Sequence, residues 1–176
     1  MLWLKMISRF IKAFRSGESP GKIAAGFSVG LLIGLMPFWT LQGVVLFILL
    51  ILLNINLAAG TLAIFLASLF AYLLDSVFHN LGFYVLTGIP SLQGLWESLY
   101  NTPIGPLSRF NNTVVMGSFL GGLILFLPVF FGMKKLVVLY REKFEAPVKK
   151  WKVVQAISSS KIVQWYQKVR DIGGEL

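Results

Sequence analysis

Long apolar runs broken by short polar punctuation mark this chain from residue 23 to residue 133. Residues 23–38 are apolar but for Ser28 and end at Pro37-Phe38. At about 1.5 Å per residue this run reaches about 24 Å, short of a hydrocarbon core about 30 Å thick. Thr40, Gln42 and Gly43 interrupt it before a second short run, residues 41–53, which stops at the polar triplet around Asn54 and Asn56. Residues 57–74 and 113–133 are the two runs of conventional spanning length. The polar stretch 75–80 is expected to end the first of them, so that residues 75–112 form an external loop. Within that loop Leu95, Leu99 and Tyr100 suggest one short interfacial helix, with Trp96 anchored at headgroup level.

The flanks follow a different rhythm. Trp3, Met6, Ile7, Phe10, Ile11 and Phe14 recur at helical spacing, with Lys5, Arg9 and Lys12 opposite them. No uninterrupted apolar core or small-residue cleavage site follows, so residues 1–17 read as an amphipathic helix in the interface, not a cleaved signal. A helix packed on the protein's own soluble face would show the same pattern. Residues 137–176 form a basic tail with two further amphipathic pieces, carried by Val148, Trp151, Val154 and Ile157, then Ile162, Trp165, Tyr166 and Val169. Residues 18–136 are the membrane domain. Ser19-Pro20 supplies helix-start chemistry, and Pro128 predicts a kink in the last span.

Composition sharpens this picture. Of 176 residues 56% are hydrophobic, and the mean hydropathy is +0.77. The net charge of +9 is concentrated at the ends; between Ile23 and Trp96 only Asp75 and His79 belong to the Asp, Glu, Lys, Arg and His set. Basic segments beside apolar ones fit anionic headgroups, not nucleic acid, at about 1 kcal/mol per Lys or Arg near the surface. By the positive-inside rule both termini are cytoplasmic, which requires an even number of crossings. The expected fold is therefore an all-α integral membrane protein with two readings. Either all four apolar runs cross, or two do and the short leading pair forms a re-entrant hairpin covered by protein. The expected location is a bacterial inner membrane, multi-pass.

Gly26, Gly30 and Gly34 stand four apart, a ridge of small residues along one helix face that ends at Pro37. Gly117 and Gly121 offer a second such surface, and Gly60 with Ala63 and Ala67 a weaker third. Each permits close helix packing within one chain or self-association as a homo-oligomer. Asp75 and His79 lie one helical turn apart beside Asn80, and an ionisable group in a membrane domain is a candidate for proton or cation handling. The competing reading puts them in water at a helix end. Thr40, Gln42, Asn54 and Asn56 either cap or link the short helices, which breaks between spans require in any case, or line a polar cavity for a headgroup. There is no cysteine, no zinc-type histidine spacing, no P-loop and no serine elbow, so neither a catalytic constellation, a metal nor a cofactor is expected.

The stretch "SPGKIAAGFSVGLLIGLMPFWTLQG" with "LLNINLAAGTLA" after it resembles the bacterial membrane family catalogued as domain of unknown function 2062. Ser19, Pro20, Ile23, Ala24, Gly26, Phe27, Gly30, Gly34, Pro37, Gln42 and Asn54 carry the resemblance. The Asn-Pro pair that many members place after the third segment is missing from "ASLFAYLLDSVFHNLG", as in a short stand-alone branch. The resemblance implies localisation and fold, not an activity. Two functions are expected from the residues: handling or transport of a polar or lipid-linked solute at the broken segments, or a scaffold whose basic ends organise anionic lipid or partner proteins. The substrate is not legible.

Overall fold

The computed structural model describes residues 17–145, so the expected helix over residues 1–17 and the tail pieces beyond residue 145 lie outside the described residues, except for Gly17 itself. Among the described residues the fold is all-helical, without strands. Four main helices carry it: α1 (Pro20–Leu35), α2 (Leu41–Leu52), α3 (Leu57–Thr87) and, after the connector, α6 (Thr113–Tyr140). The connector holds a 3-10 turn (Pro90–Leu92), α4 (Gln93–Tyr100) and α5 (Gly105–Ser108), and a π turn (Arg141–Glu145) follows α6. Among the described residues, 17–137 form one compact unit, and a second begins at Val138.

Local chemistry sets the helix starts. The Lys22 backbone N–H donates to Ser19 Oγ at 3.3 Å, with Pro20 in the first turn where its missing N–H is not needed. Gly43 N donates to Thr40 Oγ1 at 3.2 Å, Ala59 N to Asn56 Oδ1 at 2.7 Å, and Val114 N to Asn112 Oδ1 at 3.0 Å. Each of these side chains satisfies a backbone donor that a helix leaves unpaired. Helix α1 stops at Met36, where the following Pro37 pushes its predecessor to an extended backbone.

Two expected boundaries are corrected. The span expected to end at residue 74 continues as helix to Thr87, so the loop expected over 75–112 begins about three and a half turns later. Nothing in 75–81 is glycine or proline, and Phe78 and Gly82 bury themselves against α6, which holds these turns in register. The run expected to end at Lys134-Lys135 likewise continues as helix to Tyr140, unbroken at Pro128. Both α3 and the helical stretch Thr113–Lys143 are long and apolar enough to cross a membrane. Helices α1 and α2 are apolar but shorter.

The packing order is legible in where side chains cannot fit. A Cβ on Gly26 would overlap the Asn56 carbonyl, one on Gly30 the Gly60 carbonyl, and one on Gly34 would sit 2.5 Å from the Ile64 carbonyl oxygen and 2.8 Å from the Ala67 Cβ. The ascending order 26–56, 30–60, 34–64 makes α1 and α3 parallel, with α3 beginning opposite Gly26, six residues after α1 begins. Helix α2 returns alongside the pair: Leu50 Cδ1 stands 2.6 Å from where a Gly60 Cβ would be. Helix α6 is antiparallel to α3, with Gly82 against Thr113 and Gly117 against Phe78. It also touches α1, where Gly122 faces the Leu32 side chain. Two apolar clusters fill the joints, one on Val29, Ile33 and Leu50 with Phe126 beside it, the other on Leu35, Ala67 and Phe78 with Leu74 and Val114.

Candidate functional site

The polar residues singled out in the sequence fall in three separate places. Near the starts of α1 and α3, Lys22 Nζ donates to Asn54 Oδ1 at 2.8 Å. The buried Asn56 ties the same ends together more fully. Its backbone N–H donates to the Lys22 carbonyl at 3.1 Å, its Nδ2 donates to Glu18 Oε2 at 2.9 Å, and its Oδ1 caps α3. Asn54 is thus a surface partner, whereas Asn56 is the structural hinge. The asparagine pair was visible in the sequence; the identity of their partners, some thirty positions away, was not.

The turn between α1 and α2 holds the second group. Thr40 is buried, donates to the Pro37 carbonyl at 3.1 Å and caps α2, so its hydroxyl is fully engaged locally. Gln42, two residues on, lines a cavity of about 860 Å³ between this turn, the connector and α6. Leu41, Leu99, Ile104, Phe119 and Leu120 make its wall almost wholly apolar. The volume lies in the range of small-ligand sites, about 300–1,000 Å³.

A second cavity of about 460 Å³ shares Trp96 and Phe110 with the first as lining residues. Their rings lie 5.9 Å apart, tilted by 35°. Trp96 is pinned by its Nε1–H, which donates to the Val85 carbonyl at 3.3 Å. The second cavity is polar by comparison, lined by Glu97, Tyr100, Asn101 and Asn111. Sequence reading proposed Trp96 only as a headgroup anchor. It missed the pairing with Phe110, because no periodicity links an eight-residue helix to the loop after α5.

The third group, Asp75, His79 and Asn80, is exposed on the flank of α3 beside α6. His79 Nδ1 lies 2.7 Å from Thr113 Oγ1, and its ring stacks on Phe83 at 6.1 Å. His79 therefore bridges α3 to the first turn of α6. Because α6 is antiparallel to α3 with Gly117 against Phe78, this group lies alongside the apolar, glycine-rich half of α6 rather than beyond its end. Among the described residues no three His, Asp or Glu side chains gather in a way that could hold a metal ion.

Comparison with known proteins comes to the same stretch of chain. A family model described as "Uncharacterized protein conserved in bacteria (DUF2062)" matches residues 5–145. An "Uncharacterized protein" of Treponema pallidum (strain Nichols) is 27% identical over 139 residues, which cover 77% of this chain and 85% of that protein. No solved structure matches.

Proposed function

This chain belongs to the DUF2062 family of uncharacterised proteins conserved in bacteria, and we propose that it is a non-catalytic, multi-pass inner-membrane protein handling a polar or lipid-linked solute. In this reading α3 and α6 cross the bilayer, and α1 with α2 forms a re-entrant hairpin whose glycine ridge is filled by α3. Both termini are cytoplasmic, where their basic residues meet anionic headgroups. The solute is handled at the hairpin turn, around Gln42.

One observation carries the reading. Gly34, near the end of α1, lies against Ile64 and Ala67, yet α3 runs on from there to Thr87, about 30 Å farther at about 1.5 Å per residue. That distal part exposes Phe70, Leu73, Val77 and Phe83, each more than half accessible. An apolar surface of this extent needs hydrocarbon around it or another protein against it. If the bilayer surrounds it, Gly34 and the end of α1 lie at depth, and the turn beyond them lies under the connector, with which Leu41 and Gln42 share a cavity. Broken helices with polar turns at depth are where membrane transporters build binding sites. Covered backbone at such a turn is tolerated because protein shields it, here the connector and α6.

Extraction with native lipids into polymer-bounded discs, followed by native mass spectrometry, tests the function. A co-purifying amphiphile or solute, lost when Gln42 is replaced by Leu, is expected; a bare protein contradicts the reading. The scaffold reading draws on the basic ends alone. It gains the advantage if deletion of residues beyond Arg141 abolishes the cellular phenotype while leaving the bound molecule in place.

A further inference from the structure

The two cavities that share Trp96 and Phe110 differ in chemistry in a way that defines a ligand. The larger is apolar and reaches from the connector down to the hairpin turn and α6. The smaller presents three aromatic side chains, Trp96, Tyr100 and Phe110, around a space whose charged member is the carboxylate of Glu97. Among the described residues no lysine, arginine or histidine lines it. Aromatic faces beside one carboxylate are the recognition chemistry of an ammonium group, since the negative ring faces attract a cation and the carboxylate neutralises it. A phosphate or carboxylate head would meet repulsion from Glu97 with no cationic partner among the described lining residues to offset it.

From this we propose that the protein binds an amphiphile with an ammonium head and one long hydrocarbon chain. The head sits among Trp96, Glu97, Tyr100 and Phe110; the chain passes the Trp96–Phe110 pair into the apolar cavity and ends near Leu120 and Gln42. Asn101 and Asn111 lie where they can accept or donate hydrogen bonds to groups next to the ammonium. The inference rests on the reading of the hairpin turn as a ligand-handling site, and it adds the class of the ligand.

The test uses the full chain in discs of uncharged lipid, with Trp3, Trp39, Trp151 and Trp165 replaced by Phe so that Trp96 is the single fluorophore. The probes are hexadecyltrimethylammonium, hexadecyl phosphate and hexadecyl maltoside, each brominated on the chain to quench a neighbouring indole. Saturable quenching is expected with the ammonium probe, at concentrations roughly ten-fold below those needed by the other two. Glu97→Gln is expected to remove that roughly ten-fold advantage and to leave the maltoside unchanged. Tetramethylammonium, a head without a chain, is expected to displace the probe only at far higher concentration.

Equal quenching by the phosphate or maltoside, an ammonium affinity unaffected by Glu97→Gln, or no saturable quenching at all overturns the assignment. Equally strong competition by tetramethylammonium removes the apolar cavity from it. Failure here is distinct from failure of the hairpin reading, which is decided by which side of the membrane reaches Trp39.

Discussion

Gly30 of α1 and Gly60 of α3 meet backbone to backbone: a Cβ on Gly30 would stand 2.8 Å from the Gly60 Cα and overlap its carbonyl oxygen. This contact answers why an apolar helix carries three poor helix formers in a row of four-residue steps. Each glycine costs up to about 1 kcal/mol of helix propensity relative to alanine. The loss is offset by dispersion contacts that become available only when two helix backbones close to this distance.

Substitution at the ridge therefore separates from substitution elsewhere. Gly30→Ala is expected to destabilise by at least about 1–3 kcal/mol, because neither backbone can yield as a flexible side chain would. Gly132→Ala, on α6 with open space around its Cβ position, is expected to be neutral or to stabilise by up to about 1 kcal/mol. Unfolding midpoints in a mild detergent compare the two.

Asn56 and Asn54 are two positions apart and carry very different weights. Asn56→Ala removes the α3 cap and leaves the Glu18 carboxylate without its amide partner, an expected loss of about 1–3 kcal/mol. Asn54→Ala removes one exposed hydrogen bond to Lys22, for an expected loss below about 1 kcal/mol. The same unfolding measurement checks both.

Ser28 and Ser118 are both fully buried, but only one hydroxyl is satisfied. Ser118 Oγ donates to the Val115 carbonyl at 3.2 Å, while Ser28 Oγ has no hydrogen-bond partner among the described residues. Ser28→Ala is expected to leave stability unchanged or raise it by about 1 kcal/mol, since it removes an unpaired polar group. Ser118→Ala is expected to cost about 0.5–1.5 kcal/mol. A double comparison of melting curves decides this.

The His79–Thr113 contact gives the third group a structural expectation. Thr113→Val is expected to lower stability by about 0.5–1.5 kcal/mol, whereas Asp75→Asn, on an exposed flank, is expected to stay within about 0.5 kcal/mol. Should Asp75→Asn impair function with stability intact, the ionisable pair gains a role in proton or cation handling.

Residue chemistry near in sequence was readable in advance; residue chemistry across the fold was not. Ser19, Thr40 and Asn56 cap the helices that follow them because a cap depends on a donor only two or three positions away. The glycine ridge was visible as a surface, but the helix against it is set by tertiary register, which periodicity does not encode. Polar residues 75–80 looked like a terminus because their composition resembles one. Tertiary burial of Phe78 and Gly82 against α6 overrode that local signal. The double cavity was hidden for the same reason, since its walls come from α2, the connector and α6 at once.

The hairpin is tested most directly by cysteine accessibility, which a chain without native cysteine makes clean. Trp39, exposed at the α1–α2 turn, is replaced by Cys, with Asn54→Cys marking the start of α3 and Asn101→Cys marking the connector. With a membrane-impermeant maleimide applied to each side in turn, Asn54→Cys and Asn101→Cys are expected to label from opposite sides. Trp39→Cys is expected to resist the reagent from the Asn101 side while reacting with a lipid-soluble maleimide. Labelling of Trp39→Cys from the Asn101 side, at a rate comparable to Asn101→Cys itself, would mean that α1 crosses the whole bilayer and would contradict the re-entrant hairpin.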